Sequence, residues 1–554
     1  MLAADVGTGE PHPLRKILVL GGYGGFGARL SRRLAGDGFE VLVAGRNLES
    51  AKTLAARLPN ATAVQADRNG ELAALLDERK PFLLIDAAGP FQHSDDRVAR
   101  ACICAGVHYI DLADARDFVA AIGSLDEEAK AAGVAIVSGA SSVPALSTAV
   151  VTELSRDMQE VRSIDMSISA SNRATAGASV ASAILSYVGK PVRLWRGRRW
   201  QNAIGWRMLK RETYAISGHR PLRRLVALAD VPDHDLLVEN VVGRPSVIFR
   251  AGPEFAFQTL VLWLLSWPVA WGWLASLGNI SRFLLPLQGL TASFGTARSA
   301  MAIEVKGIRQ GAMRARRWTL LAENGDGVEI PTLAAQLLAR VLRDGGLSPG
   351  ARHAGGLLSL SDFRTLFRDL AISEDVTEAS YTPLYRRVMG PAFAHLAKPV
   401  RIMHGVFGDG GAMGEAVVTQ GHSPVARLVA KVFGFPTEGK HALHVSFGER
   451  NGIERWTRDF SGQRFISHLS DENGHLVERF GPFRFSFDLP MRDNGFGMEI
   501  RRWSFLRLPL PHFLAPRSVA HEWAEDGCFQ FDVPIALPFV GLVVHYRGWL
   551  RPIE

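Results

Sequence analysis

A run of glycines directly after the first apolar stretch constrains the fold of this chain more than any other feature. The apolar residues KILVL at 16–20 are followed by GGYGGFG at 21–27, where a helical pattern begins. Gly22, Gly24 and Gly27 give G-x-G-x-x-G, and Gly21 gives the related G-x-x-G-x-x-G. Glycine allows a tight turn and a close approach of the backbone to a pyrophosphate, whose charge suits the amides of a helix N-terminus. A glycine-rich turn without a ligand is the alternative interpretation.

Six short apolar runs alternate with helical patterns in the first part of the chain. The runs are KILVL (16–20), EVLVA (40–44), ATAVQ (61–65), FLLID (82–86), HYIDL (108–112) and VAIVS (134–138). Uniformly apolar strands separated by helices indicate a parallel sheet that is covered on both faces. We therefore predict a Rossmann-type, doubly wound α/β domain over residues 14–150.

The residues after the second strand bear on which dinucleotide is bound. NAD-binding domains place an acidic residue there for the ribose hydroxyls, whereas this chain has Gly45, Arg46 and Asn47. A guanidinium pairs with a 2′-phosphate that a carboxylate would repel, so Arg46 with Asn47 favours NADP. NAD remains the alternative, because a solvent-facing arginine tolerates either cofactor. Asp67, after the third strand, is expected to border the adenine or to cap a helix.

The loops after the fourth and sixth strands are expected to face the nicotinamide. Small residues in DAAGPFQ (86–92) leave room for the cofactor at the carboxyl edge of the sheet. Ser141 and Ser142 are candidates either for a hydrogen bond to substrate or for a helix cap. The predicted cofactor-binding residues are Gly21, Gly22, Tyr23, Gly24, Gly25, Phe26, Gly27, Arg46, Asn47, Asp67, Ala88, Gly89 and Pro90.

The pattern changes after residue 150. Alternating stretches at 163–171 and 300–308 predict an α+β domain over 151–345 for substrate binding or dimerisation. Within it, residues 255–281 carry no charge and contain Pro268. A buried helix pair, a hairpin on a membrane surface and a membrane span are three interpretations of this apolar segment.

The last third of the chain is dominated by strand patterns. The Gly- and Ser-rich residues 346–380 are expected to be a linker, and residues 381–554 an antiparallel β-rich domain or partly closed barrel. Aromatic residues on these strands, such as Phe483, Phe485 and Trp503, are interpreted as core. If the sheet closes, they line an apolar ligand pocket instead.

Five blocks of the first domain resemble one family in order and spacing. GGYGGFG, AGRN, DAAGPF, YIDL and SGASSVP are similar to the saccharopine dehydrogenase-type NADP-binding domain, over about residues 14–150. The segments YRRVMGPAF, WTRDF, ERFGPFRF and YRGWL resemble an uncharacterised bacterial domain that is fused behind this NADP-binding type. The first resemblance implies an NAD(P)-dependent oxidoreductase, whereas the second implies association only.

No catalytic residue is identified from the sequence. The Tyr-x-x-x-Lys pair of short-chain reductases is absent, because Tyr187 and Lys190 are one residue too close. We predict no metal site, since His404, His422, His441 and His444 lack a metal-ligand spacing.

Composition limits the partners and the compartment. A net charge of +8 suits a phosphate-bearing cofactor or anionic lipid, and no nucleic-acid-binding motif accompanies it. With three cysteines and no apolar stretch in residues 1–16, we expect a cytoplasmic protein, with membrane association as an open alternative. A homodimer is also compatible with the sequence.

Two hypotheses about function follow. The first is an NADPH-dependent oxidoreductase that transfers hydride to a C=O, C=N or C=C bond of an apolar or lipid-like substrate. The second is a redox-silent NADP-binding sensor or scaffold whose C-terminal sheet binds a lipid or a protein partner.

Overall fold

A computed structural model describes residues 15–173, 178–280 and 293–553. Within these ranges, the chain forms a parallel sheet, a mixed sheet and an antiparallel barrel in that order. This architecture confirms the predicted α/β fold class with a Rossmann-type first domain, an α+β middle domain and a β-rich C-terminal domain.

The first sheet has seven parallel strands: β1 (Lys16–Leu20), β2 (Glu40–Gly45), β3 (Ala61–Gln65), β4 (Leu83–Asp86), β5 (His108–Asp111), β6 (Ala135–Ser138) and β15 (Gly350–His353). Their order in the sheet is β15-β6-β5-β4-β1-β2-β3. The helices around it are Gly27–Gly36, Leu48–Ala55, Ala73–Arg79, Arg97–Ala105, Arg116–Ala121, Asp126–Ala131 and Ser147–Leu154. Ile17 and Leu18 on β1 are both fully buried in separate apolar clusters, as expected for a strand that is covered on both faces.

The predicted linker at 346–380 is wrong. β15 (Gly350–His353) pairs in parallel with β6, so it completes the first sheet from a distant part of the chain. A helix follows at Leu360–Phe367, and β16 (Ile372–Ser380) joins the middle sheet. Gly and Ser residues here form tight turns and a capping box at Ser359 rather than a flexible connection.

The middle sheet is mixed and has the strand order β10-β11-β12-β7-β13-β14-β16. Its remaining strands are β7 (Glu160–Ser169), β10 (Lys210–Tyr214), β11 (Leu222–Leu228), β12 (Ser246–Gly252), β13 (Ser299–Arg309) and β14 (Ala312–Ala322). β8 (Pro191–Arg196) and β9 (Arg199–Ile204) form a separate hairpin. The associated helices are Ala178–Tyr187, Asp233–Asn240, Ala256–Ala270 and Ile330–Arg343. Core residues of this sheet and of the first sheet belong to one apolar cluster, so the two domains share a core.

Of the apolar segment 255–281, the structure describes residues 255–280, which form one α-helix, Ala256–Ala270, a turn and a short 3₁₀-helix at Leu277–Ile280. One face of the α-helix is buried, including Thr259 and Val269, whereas Leu264 on another face is 60% exposed. The interpretation of this segment as buried helices therefore holds for one face of the helix Ala256–Ala270 and not for the exposed face. In the part of the chain that the structure describes, no helix has the length and hydropathy needed to cross a membrane.

The C-terminal domain is a closed barrel. Its ten barrel strands are β17 (Asp409–Gln420), β18 (Gly439–Arg450), β19 (Ile453–Phe460), β20 (Gln463–Glu472), β21 (His475–Phe480), β22 (Phe483–Asp488), β24 (Gly495–Phe505), β26 (Val519–Glu525), β27 (Cys528–Leu537) and β28 (Gly541–Pro552). Two-residue strands β23 (Met491–Arg492) and β25 (Leu508–Pro509) pair only with β24. The β17–β28 and β22–β24 pairings close the ring, so neighbouring strands are antiparallel throughout.

Three short helices accompany the barrel: Leu384–Met389, Lys398–Met403 and Pro424–Val432. The barrel contacts the middle domain through polar contacts. Lys306 pairs with Glu449 at 2.7 Å, Arg199 pairs with Asp459 at 2.7 Å, and His444 bonds to the Gly197 carbonyl at 2.9 Å.

Candidate functional site

The predicted glycine loop connects β1 to the first helix at the carboxyl edge of the parallel sheet. A Cβ atom at Gly27 would lie 2.1 Å from the Gly21 carbonyl oxygen, so only glycine allows the helix to start this close to the loop. Gly21 has φ of +68°, and a Cβ there would lie 3.0 Å from the Cα of Ala88. The loop is therefore packed against the end of β4 in a conformation that favours glycine.

The start of this helix is suited to an anion. Gly24 and Gly25 are exposed, and Phe26, the N-cap residue, makes no side-chain capping hydrogen bond. The first turn also lacks an acidic residue, so the positive end of the helix dipole is not neutralised locally. The loop thus fits the bridging phosphates of a dinucleotide.

The residues at the end of β2 form the second part of the candidate cofactor site, next to the glycine loop. The Tyr23 ring lies over Gly45, where a Cβ would come within 2.4 Å of the ring, and its hydroxyl accepts a hydrogen bond from the Asn47 amide at 2.8 Å. The Asn47 side chain caps the next helix by accepting from the Ser50 amide at 3.0 Å. Arg46 is exposed beside them. The structure thus leaves the Arg46 guanidinium accessible but engages the side-chain oxygen of Asn47.

Asp67 has a local role. Its side chain accepts a hydrogen bond from the Asn69 amide at 3.0 Å, and its carbonyl accepts from Gly70 at 3.0 Å, so it stabilises the turn after β3. Its neighbour Arg68 was not predicted as a site residue, and its Nε lies 2.6 Å from Oδ2 of Asp86.

Asp86 ends β4 and is fully buried. Burial raises the pKa of its carboxyl group, and Arg68 opposes this shift. Its Oδ1 accepts a hydrogen bond from the Ala88 amide at 2.9 Å, which holds the predicted loop Ala88, Gly89 and Pro90 in place. No motif marks Arg68 and Asp86 as a pair, because the two residues meet only when β3 and β4 enter the same sheet.

A central cavity of about 240 Å³ lies between the carboxyl edge of the parallel sheet and the middle domain. From the first domain, it is lined by residues that follow four strands: Phe26 after β1, Gly89 and Pro90 after β4, Asp114 after β5, and Ser141 and Ser142 after β6. The middle domain contributes mainly apolar residues, among them Ile168, Ile184, Val231, Phe249 and Met301. The cavity is thus contiguous with the glycine loop and largely apolar.

Tyr187 and Asp114 are the most chemically informative polar residues of this cavity. Gln92 Nε2 donates a hydrogen bond to Asp114 Oδ1 at 3.1 Å, and burial raises the pKa of the Asp114 carboxyl group. Burial, and secondarily the nearby charges of Asp114 and Asp230, raise the pKa of the Tyr187 hydroxyl well above its ordinary value. Tyr187 therefore stays protonated at neutral pH. From the sequence, Tyr187 is notable only for lying too close to Lys190 for a Tyr-x-x-x-Lys pair, and no spacing motif places it in this cavity.

The predicted alternatives for the serines and histidines are also resolved in part. Ser141 is the N-cap residue of the following helical turn but makes no side-chain capping hydrogen bond. Among the described residues, no group of three or more His, Cys, Asp or Glu side chains could hold a metal ion. His404 instead pairs with Glu522, and His441 bonds to the Thr437 carbonyl.

The fold and this candidate cofactor site define an NADP-binding α/β protein, and two family models match the chain. Residues 17–137 carry a saccharopine dehydrogenase NADP-binding domain. Residues 396–550 match a separate domain of unknown function, DUF4166. Both resemblances drawn from the sequence are thereby confirmed. A comparison with curated proteins found no match.

Solved structures that resemble parts of this chain include two proteins in complex with NAD and an amine dehydrogenase. GenD2 from gentamicin A biosynthesis, in complex with NAD, is 12% identical with a TM-score of 0.31, and the match covers 68% of this chain and 98% of GenD2. An amine dehydrogenase from Mycobacterium smegmatis is 9% identical with a TM-score of 0.34, covering 62% and 96% of the two chains. WbmG from Bordetella bronchiseptica, in complex with NAD, is 21% identical with a TM-score of 0.16. That match covers 18% of this chain and 38% of WbmG.

Proposed function

We propose that this protein is an NADPH-dependent oxidoreductase that reduces a C=O, C=N or C=C bond of an apolar or lipid-like substrate in the central cavity. The observation that carries the proposal is that residues of the predicted cofactor-binding loops also line the central cavity. Phe26 belongs to the glycine loop and Gly89 to the loop after β4, and both line the cavity. A dinucleotide held by the glycine loop would thus end where an apolar substrate has room.

Each part of the site has a separate task in this proposal. The glycine loop binds the bridging phosphates, and Arg46 binds the 2′-phosphate. When bound, the cofactor supplies the hydride. Apolar residues from the middle domain exclude water, and the protonated Tyr187 hydroxyl donates a proton to the substrate atom that gains negative charge.

The experiment is an NADPH titration followed by turnover assays with aldehydes, ketones, imines and enoyl compounds of increasing chain length. We expect saturable NADPH binding and oxidation of NADPH with the more apolar members of the panel. Tyr187→Phe should lower kcat by about 10²–10⁴-fold, as loss of a general acid does, without changing the Kd for NADPH. Tyr214→Phe is the matched control, because Tyr214 is buried but does not line the cavity.

The outcomes separate the two hypotheses about function. Absence of NADPH binding at millimolar concentration would reject the proposal. Binding without any oxidation across the panel would favour the redox-silent sensor, and equal activity of the Tyr187→Phe enzyme would remove Tyr187 from the mechanism.

We also propose that the exposed face of the helix Ala256–Ala270 contacts a membrane surface. Leu264 is 60% exposed, and the following turn carries Trp271 and Trp273 at 56% and 75% exposure. Tryptophan suits the boundary between lipid and water, and the positive net charge suits anionic headgroups.

A further inference from the structure

The C-terminal barrel has an interior that side chains do not fill. Closing ten strands into a ring leaves more interior space than eight strands, whose barrels are filled by side chains or hold one small ligand. A cavity of about 360 Å³, here called the barrel cavity, lies inside the ring. This volume falls within the range of pockets that bury small ligands, which is about 300–1,000 Å³.

The two ends of the barrel differ in their filling. At one end His404, on the chain that enters β17, packs its ring against Tyr385, Trp456, Phe496 and Phe529. These rings fill the interior at that end. At the other end, the helix Pro424–Val432 follows β17 in the chain and packs against β28 and β17, and Val429 and Phe433 line the barrel cavity there.

The wall of the barrel cavity is aromatic and aliphatic. Inward positions alternate along the strands, as in Phe483, Phe485 and Phe487 of β22, and Trp503 stacks on Phe485 with a centroid distance of 6.3 Å. Core packing and the lining of an apolar pocket in a closed barrel were the two interpretations of these aromatic residues from the sequence. They line an open space because β22 pairs with β24 and closes the ring.

The charged residues that line the barrel cavity are Arg458, Glu478 and Glu522, and each has a partner. Arg458 Nη1 donates to Ser467 Oγ at 2.9 Å and lies 3.8 Å from Glu478. Glu522 lies 2.7 Å from His404 Nε2. Together, Arg458, Glu478, Glu522 and His404 have no net positive charge, whether His404 is protonated or neutral. A buried anionic ligand would therefore lack a free partner, which disfavours it strongly.

We propose that the barrel cavity binds a neutral apolar molecule with an uncharged polar end, such as a hydroxyl or carbonyl group. The apolar body would contact the aromatic wall, and the polar end would hydrogen-bond with the paired side chains around Arg458 and Glu522. This inference concerns a second site, and it does not depend on NADPH binding or on turnover in the central cavity.

The test uses the full chain and the neutral fluorophore N-phenyl-1-naphthylamine. We expect saturable binding with fluorescence enhancement at micromolar concentrations. Ala520→Trp should weaken this binding by about tenfold or more, because Ala520 lines the barrel cavity and the indole would occupy it. Val519→Trp is the matched control, since Val519 is the adjacent residue and is 50% exposed.

A second variant guards against misfolding of the first. Ala520→Leu fills less space and should give an intermediate affinity, and an unchanged circular dichroism spectrum and thermal transition of both variants show that the barrel is folded. Absence of saturable binding to the wild-type chain would overturn the proposal. Unchanged affinity in both Ala520 variants would also overturn it, because the fluorophore would then bind elsewhere.

Competition defines the chemical class. At pH 8, 1-decanol should displace the fluorophore, whereas ionised decanoate should do so at least about tenfold more weakly. Stronger displacement by decanoate would overturn the assignment of a neutral ligand.

Discussion

Gly45 and Arg46 lie together at the end of β2, where we propose that the 2′-phosphate of the cofactor binds. Gly45 is required because the Tyr23 ring lies over it, and the ring is fixed by its hydrogen bond from the Asn47 amide. Arg46 is left exposed beside this ring. In the proposed site a 2′-phosphate would meet the positive charge of Arg46, because the chain places no carboxylate directly at this strand end.

Replacement of Arg46 tests this arrangement. Arg46→Ala should weaken NADPH binding by about 10–100-fold. A hydrogen bond to a charged group contributes about 1.5–3 kcal/mol, and each 1.4 kcal/mol corresponds to about tenfold in Kd. NADH affinity should change little, since NADH has no 2′-phosphate. Isothermal titration with both cofactors measures the ratio, and Arg57→Ala, an exposed arginine after the next helix, is the control. Equal losses for both cofactors would contradict the assignment.

The buried pair of Arg68 and Asp86 is a second feature that depends on single residues. Arg68→Met leaves the Asp86 carboxylate buried without its partner and should lower the free energy of unfolding by about 3–5 kcal/mol. Arg68→Met with Asp86→Leu removes both charges and should be less destabilised than the single variant. Denaturant unfolding with a fluorescence readout checks both, and an additive double variant would contradict the pairing.

At the scale of elements, the sequence predicts those strands and helices whose burial is uniform. β1, β2, β4, β5 and β6 follow from apolar runs because both faces of a parallel sheet are covered, whereas the edge strand β3 buries only Val64. β15, with the sequence Gly-Ala-Arg-His, has no such run and is defined only by backbone pairing with β6. The cofactor loop was predictable because steric demands select glycine, whereas Tyr187 was not, because its location depends on how the middle domain packs.

The sequence predicts an apolar segment at the helix Ala256–Ala270 but does not predict which of its faces is buried. Its sequence is apolar around the whole circumference, so periodicity does not distinguish the face on the middle sheet from the exposed face. Packing decides this. Arg207, from the middle domain, lies over the Trp267 ring with a centroid distance of 3.9 Å and anchors one side of the helix.

The membrane proposal belongs to this element. Replacing both Trp271 and Trp273 with Ser should abolish flotation of the protein with vesicles that contain anionic lipid, because the exposed rings supply the apolar contact. Phe513→Ser is the control, since Phe513 is 72% exposed in the C-terminal domain. If the wild-type protein does not float, the proposal fails. A concentration-dependent dimer that is lost in the double variant would assign the face to self-association instead.

At the scale of the whole molecule, the chain consists of two domains with a common core and a barrel attached by polar contacts. The parallel and mixed sheets share one apolar cluster, whereas the barrel has its own. The barrel's contacts to the middle domain include the Lys306–Glu449 and Arg199–Asp459 ion pairs. We therefore expect the barrel to unfold as a separate unit.

The buried carboxyl group of Glu454 makes barrel stability dependent on pH. Burial raises its pKa to about 8, so the folded barrel holds a proton that the unfolded chain releases near its ordinary pKa of 4.5. This group's contribution to stability is complete below about pH 4.5 and is lost progressively as the pH rises to about 8. Glu454→Gln, which retains an acceptor for Trp456 Nε1, should remove that dependence.

Thermal unfolding between pH 6 and 9 measures this effect. The variant should gain stability relative to the wild-type barrel as the pH increases, with a constant difference above about pH 8. Glu438→Gln, at an exposed position, should follow the wild type throughout. A difference between Glu454→Gln and wild type that does not change with pH would contradict the buried, protonated state.

β15 comes from a distant part of the chain, and this affects how the first sheet forms during synthesis. About two hundred residues separate β6 from its neighbour β15, so the nascent polypeptide carries an unprotected β-edge until residue 353 has left the ribosome. A fragment that stops at residue 150 would therefore display that edge permanently. We expect such a fragment to self-associate in size-exclusion chromatography, whereas one that extends past β16, and so completes both sheets, would remain monodisperse.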